Sequence, residues 1–282
     1  MDSTTLNAKL VTESNALYHA NTAVGRSMLW DYRNRKLLYK RKYIDKALPK
    51  KEPSKEMRLG SVVHALLLEP ATFDQNFVRV PDDFVTESGA LSTSKKAKEW
   101  AANMAKLGQT PYTGEEYTKA EIMVESLTNH VSKWLKFPRE NERSIYWEDE
   151  ISGLPCKCRP DWLMLAGDTA IVPDIKTSQN IDPHAFRSSV EEYGYHLQEA
   201  HYSAGIKAAY GVSEVVFMFA VVESNEPYEA CIHRIDPERA QKANEQRIRL
   251  LCELRESLDK NTWQHDWQVG INWVSPRDFA ME

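Results

Sequence analysis

The sequence predicts an α/β (α+β) fold, in which a central mixed sheet with an antiparallel β-meander is flanked by helices. Three observations carry this. The first 140 residues read mostly as helix, with apolar residues at helical spacing and Ser or Thr at helix starts. From Ser144 the pattern changes to short alternating runs separated by tight turns. Beyond Asp182 the order becomes helix, strand, strand, helix. The chain reads as a single domain over 1–282: a mainly helical part over 1–140, a sheet core over 141–262 and a tail over 263–282.

Each element has its own signal. Ser27 to Lys42 has helical spacing and many bases. The Pro- and Lys-rich stretch Leu48 to Ser54 is a linker or loop. Met57 to Glu69 is a short helix that stops before Pro70, and Val80 to Thr93 is irregular. Ser94 to Leu107 is a helix ended by Gly108. Thr113 with Glu116 makes a capping box for a helix to about Lys136. Ser144 to Ile151 is a strand, Gly153-Leu154-Pro155 a turn, and Cys156 to Leu165 a second strand. Gly167-Asp168 turns into a third strand, Thr169 to Lys176, and two tight turns in succession imply the meander. Asp182 as N-cap with Pro183 behind it opens one long helix to Gly211. Glu214 to Val222 and Tyr228 to Ile235 are strands, and Asp236-Pro237 opens the last helix, to about Lys260.

Composition removes several classes. No apolar run approaches the roughly 20 residues that span a bilayer, and the first residues lack a signal-peptide core, so no membrane role and a cytoplasmic location are expected. Cys156 and Cys158 are two apart and Cys231 and Cys252 are scattered. With no CxxC, a zinc ribbon or iron–sulfur cluster is not expected, and the close pair reads as packing. A net charge of −5 means that any nucleic acid must be held by a local basic surface rather than by bulk attraction. Excess carboxylate also suits a site that gathers divalent cations.

The chemistry concentrates in Arg159-Pro160-Asp161 and Pro173-Asp174-Ile175-Lys176. Neighbouring strands lie about 4.8 Å apart, so facing carboxylates on them can share one cation. Asp174 and Lys176 project to the same face of their strand. Two carboxylates holding Mg²⁺ beside an ammonium meet the needs of metal-assisted phosphodiester hydrolysis. A plain salt bridge between strands explains the same spacing. Other residues also carry two readings. His64, in an apolar helix, is a packed core residue or a ligand. Glu148, Asp149 and Glu150 form a solvated hairpin, or one of them joins a metal shell. The bases Arg33, Arg35, Lys36, Lys40, Arg41 and Lys42 are a solvated face or a phosphate track. Trp263, Trp267 and Trp273 are core or subunit contacts rather than base-stacking platforms.

An acid followed by D-x-K on the next strand, then a helix and another strand, resembles the PD-(D/E)XK nuclease superfamily. Pro160-Asp161 matches its first half and Asp174-Ile175-Lys176 its second. Met57-Arg58-Leu59-Gly60-Ser61-Val62-Val63-His64, Gly153 to Asp161, and Gln198 with Tyr202 are similar to the ordered motifs of RecE-type (exonuclease VIII) nuclease domains and their phage relatives. The resemblance covers residues from about 15 to 260 and implies a restriction-endonuclease-like core. It implies that His64, Asp161, Asp174 and the carbonyl of Ile175 hold Mg²⁺, with Mn²⁺ as substitute. It makes Lys176 the catalytic lysine and sets Gln198 and Tyr202 against the DNA backbone. The middle acid is Asp174 where many relatives carry Glu. The implied activity is exonucleolytic digestion of double-stranded DNA from its ends, 5′ to 3′, leaving single strands for recombination. A ring-shaped homo-oligomer and a RecT-like single-strand annealing partner are implied as well. The alternative is a non-catalytic DNA-binding or assembly protein on a nuclease-like fold.

Overall fold

A computed structural model describes residues 8–49, 53–132, 138–268 and 271. Its centre is a five-stranded mixed sheet in the order β10-β9-β8-β7-β4. These strands are β4 (Glu140–Asn141), β7 (Trp162–Ala166), β8 (Thr169–Ser178), β9 (Glu214–Glu223) and β10 (Ala230–His233); outside the sheet lie the short parallel pair β2 (Phe77–Arg79) and β3 (Thr110–Tyr112) and the helices α1 (Asn15–Ala20), α5 (Phe73–Asn76) and α6 (Lys95–Lys106). β7 and β8 form an antiparallel hairpin, β8 runs parallel to β9, and β9 is antiparallel to β10. The parallel pair needs a crossover, which α8 (Pro183–Tyr193) and α9 (Tyr195–Tyr210) supply. Phe217 to Val222 are all buried, as expected of a central strand covered on both faces. Burying each of these larger side chains contributes about 1.5–3 kcal/mol.

Two apolar clusters lie on opposite sides of β8, because successive side chains alternate. Val172 packs with Leu197 and Ile206 of α9, Leu251 and Leu254 of α10 (Pro237–Lys260), and Leu29 of α2 (Arg26–Asn34). Ile175 packs with Val62 and Val63 of α4 (Lys55–Leu68) and with Met123 and Leu127 of α7 (Gly114–Val131). The capping box of α7 forms as expected, Thr113 and Glu116 each accepting the other's main-chain N–H. Its expected end at Lys136 lies outside the described residues, as does Trp273. Trp263 is buried in the first cluster, whereas Trp267 is exposed.

The structure corrects four expectations. Cys156 to Leu165 is not one strand. It is β6 (Pro155–Cys158) and β7, separated by Arg159-Pro160-Asp161, because Pro160 has no N–H to continue a ladder. The meander is therefore split. β6 pairs with β5 (Ser144–Glu148), which pairs with β1 (Ala8–Val11), in a separate three-stranded sheet. Cys156 and Cys158 are fully buried in its packing, as expected of an i, i+2 pair on one face. The helix expected over 183–211 breaks at Gly194, whose φ is +67°. A Cβ there would collide with the indole of Trp30. The helix expected over Ser27–Lys42 breaks at Arg35 into α2 and a short α3 (Lys36–Tyr39), followed by a π-type turn over Lys40–Ile44. Within it Lys36 pairs with Glu253, Lys40 with Asp45 and Lys42 with Asp31, so half of the basic run is balanced locally. Among the described residues, no helix is long and apolar enough to cross a membrane.

Candidate active site

The break at Pro160 makes the site. The β7–β8 ladder runs from Ala166–Thr169 to Met164–Ile171. Asp161 precedes β7 rather than lying within a strand, which corrects the expectation. Its Oδ2 accepts the main-chain N–H of Ile175 at 2.7 Å, so a side chain replaces the missing ladder partner. This holds Asp161 next to Asp174 on β8. Asp174 and Lys176 share a face, as their spacing requires, and the ammonium contacts Asp174 Oδ2 directly. Lys176 Nζ also lies 3.4 Å from the carbonyl of Ile175 and 4.9 Å from the centre of the Tyr195 ring.

His64 reaches the same place from α4. Ser54 caps that helix by accepting the N–H of Met57. Gly60, one turn before His64, lets the helix approach β8, and a Cβ there would sit 3.3 Å from Thr177 Oγ1. His64 is not a packed core residue. Its side chain is 31% exposed, with Nε2 2.7 Å from Asp161 Oδ2. Its Nδ1 lies 3.4 Å from Glu142 Oε1.

From α9, Gln198 Nε2 donates to Asp174 Oδ1 at 2.6 Å. Its own Oε1 accepts from Arg26 Nη2 at 3.2 Å. Val24 is hydrogen-bonded to the edge of β6, which fixes the start of α2 and turns Arg26 toward Gln198 and the carbonyl of Tyr193. Tyr202, one turn beyond Gln198, packs edge-on against Phe217 with ring centres 6.1 Å apart. Burial, with smaller effects from Tyr18 and Asp174, raises its phenol far above its ordinary pKa.

The structure thus gathers His64, Asp161, Asp174, Ile175, Lys176 and Gln198, while Tyr202, half-buried one turn further along α9, is near enough to Asp174 to feel its charge. Glu142, Arg26 and Tyr195 join them without having been singled out in the sequence. Glu142 sits in the polar stretch Glu140-Asn141-Glu142-Arg143, which has no periodicity to mark it. The acids of the β5 hairpin do not join. Glu148 is exposed, and Asp149 is buried in an ion pair with Arg247 at 2.7 Å.

The electrostatics set the two buried acids apart. Burial pushes Asp174 up to about 6, with the charge of Asp161 adding to the rise and Lys176 opposing it. Burial would also raise Asp161, but the adjacent His64 holds it below the usual carboxylate range. For His64, burial acts to lower the pKa, yet Asp161 and then Glu142 outweigh it and raise it to about 10. An imidazolium and an ammonium therefore balance two buried acids. One nitrogen or oxygen from each of His64, Glu142 and Asp161 lies within 4.8 Å of the others. Hard oxygens with one imidazole fit a divalent cation such as Mg²⁺ or Mn²⁺, and Asp174 lies outside this trio.

A candidate exonuclease from Eubacterium rectale, solved by crystallography, superposes with a TM-score of 0.60 over 96% of this chain and 97% of its own. At 13% identity, that likeness speaks for the fold alone. SSO0001 (TM-score 0.28, 15% identity, 69% of this chain and 85% of that one) and VC1899 from Vibrio cholerae (0.24, 10%, 90% and 58%) also align, too loosely to carry an argument. No curated protein matches the chain by sequence. The model of a PDDEXK-like domain of unknown function (DUF3799) matches residues 39–268, which take in α4 and every residue gathered at the site except Arg26. The chain belongs to that family, and its mixed α/β architecture is that of the PD-(D/E)XK nuclease superfamily.

Proposed function

We propose that this chain is a divalent-cation-dependent exodeoxyribonuclease of the RecE type, acting on the ends of linear double-stranded DNA. The observation that carries the proposal is the convergence of Asp161, Asp174 and Lys176, from two chain segments, with His64 at Asp161 and Gln198 at Asp174. A non-catalytic protein on this fold would have no need to retain both acids and the lysine together.

Asp161, Asp174, Nε2 of His64 and the carbonyl of Ile175 would hold the cation. When bound, it supplies Lewis acidity to the attacking water and the scissile phosphate. Lys176 stands beside Asp174 with its ammonium kept in place by the Ile175 carbonyl and the Tyr195 ring. There it can orient a water and offset charge developing on the phosphate. Gln198 fixes the direction of the Asp174 carboxylate, and Arg26 fixes Gln198. Gln198 and Tyr202, one turn apart on the same face of α9, would hold the DNA backbone near the cation.

On the same reading, digestion runs 5′ to 3′, a ring-shaped homo-oligomer retains the duplex, and a single-strand annealing protein takes the product. The test is digestion of linear duplex labelled at opposite ends, with closed circular duplex as control. Mg²⁺-dependent release of the 5′ label from linear duplex alone supports the proposal. Cutting of closed circles would make the enzyme an endonuclease, and no digestion with Mg²⁺ or Mn²⁺ would return the non-catalytic alternative.

A further inference from the structure

We infer that Glu142 is the positioning residue of His64: it accepts the proton on Nδ1 and so presents an unprotonated Nε2 to the cation. The inference rests on the cation site proposed above and assigns a role to a residue that its motifs do not include.

The two ring nitrogens of His64 face different carboxylates. Nε2 lies 2.7 Å from Asp161 Oδ2, and Nδ1 lies 3.4 Å from Glu142 Oε1. Ring nitrogens of an imidazole point away from each other, so a cation shared with Asp161 can take only Nε2. A neutral imidazole keeps one proton, and the hydrogen bond made by the other nitrogen decides where it stays. A carboxylate at Nδ1 keeps the proton there, orients the ring and raises the basicity of Nε2. The 3.4 Å separation is an ion-pair approach longer than a hydrogen bond, found while Asp161 draws the ring from its other side.

Glu142 is itself built into place. Its Oε2 lies 2.8 Å from Nε of Arg159, a side chain only 10% exposed. Its main-chain N–H donates to the carbonyl of Asp161 at 3.2 Å. Its φ is +50°, a left-handed conformation that a side-chain-bearing residue seldom adopts without being held there. Arg159 and Asp161 flank Pro160, so one short segment supplies both the guanidinium that anchors Glu142 and the acid that faces Nε2. With one oxygen turned to His64 and the other to Arg159, Glu142 acts through the histidine.

The experiment is calorimetric titration of the full chain with Mn²⁺ alone. It compares wild type, Glu142→Gly, Glu142→Gln, His64→Ala and the double variant His64→Ala/Glu142→Gly. Glycine removes the carboxylate and accepts the left-handed backbone but leaves Arg159 without its partner, so affinities are compared at a temperature where melting curves show every variant folded. We expect Glu142→Gly to weaken Mn²⁺ binding about 10–100-fold. Glu142→Gln keeps an oxygen that accepts the Nδ1 proton and should recover most of that loss. In the His64→Ala background, Glu142→Gly should cost nothing further, since its only route is the missing ring. With the diamagnetic Mg²⁺ bound, proton NMR should find the Nδ1–H resonance of His64 further downfield with Glu142 than in Glu142→Gly. Additive losses in the double variant would overturn the inference and make Glu142 an independent ligand. Wild-type affinity in Glu142→Gly, with affinity lost in His64→Ala, would overturn this inference while leaving the cation site standing. Wild-type affinity in His64→Ala would overturn both.

Discussion

Replacing Asp174 with Asn should stabilise the cation-free protein while abolishing its activity. Asp174 is 1% exposed, and its pKa is raised from 3.8 to about 6. Each pH unit of such a difference corresponds to about 1.4 kcal/mol, so holding this carboxylate ionised in the folded chain costs about 3 kcal/mol at pH 8. The sign follows from proton counts. Between about pH 4 and 6 the folded chain binds more protons at Asp174 than the unfolded chain, so stability falls as pH rises through that window. Above it the cost stays constant. Asn removes the charge, and its Oδ1 can still accept from Gln198 Nε2. In EDTA at pH 8 the variant should therefore melt about 6 °C above wild type, taking about 2 °C per kcal/mol for a chain of this size. At pH 4 the gap should close. A cation at about 100 times its dissociation constant returns about 2.7 kcal/mol to wild type and little to the variant, so Mg²⁺ should erase the difference. Melting of Asp174→Asn at or below wild type in EDTA at pH 8 would refute the reasoning.

The raised pKa of His64, about 10, means that a cation must displace a proton at neutral pH. Affinity for Mn²⁺ should climb from pH 6 to 9, with close to one proton released per cation at pH 7.5, measured by calorimetry in buffers of different ionisation enthalpy. By the same sign argument, the His64 contribution to cation-free stability is complete below about pH 6.5 and is lost as pH rises through about 10. Lys176→Ala should lose digestion but keep Mn²⁺ affinity, since the ammonium acts on water and phosphate; equal loss of affinity would make Lys176 a structural support. Asp149→Ala leaves Arg247, which is 5% exposed, buried without its partner. Denaturant titration should show a loss of about 3–5 kcal/mol with Mn²⁺ affinity unchanged.

Much of this arrangement was legible because its parts carry local chemistry. The strand over Thr169–Lys176 and the apolar run over Glu214–Val222 are short β-rich segments bounded by turns, and both form. The ordered acids, lysine, histidine and glutamine could be placed from spacing and resemblance. The split of the meander could not. Apolar residues stand on both sides of Arg159-Pro160-Asp161, so Cys156–Leu165 reads as one strand, and the missing N–H of Pro160 is where the two halves part to different sheets. That same break lifts Asp161 out of the ladder and frees its carboxylate for Ile175 and His64. Gly194 reads as one more residue of a helix until Trp30 is packed against it. Glu142 depends wholly on tertiary placement: its partners, His64 and Arg159, come from α4 and the β6–β7 break, and no local pattern announces a left-handed glutamate.

The central claim is that Asp161, Asp174 and His64 form one cation site. Crystals of the full chain soaked in Mn²⁺ and recorded near the manganese absorption edge test it most directly. The account predicts an anomalous peak bonded to Asp161, Asp174, Nε2 of His64 and the carbonyl of Ile175, lost in Asp174→Asn. A peak elsewhere, with Lys176 and His64 still paired to these acids in Mn²⁺ that sustains digestion, would contradict it.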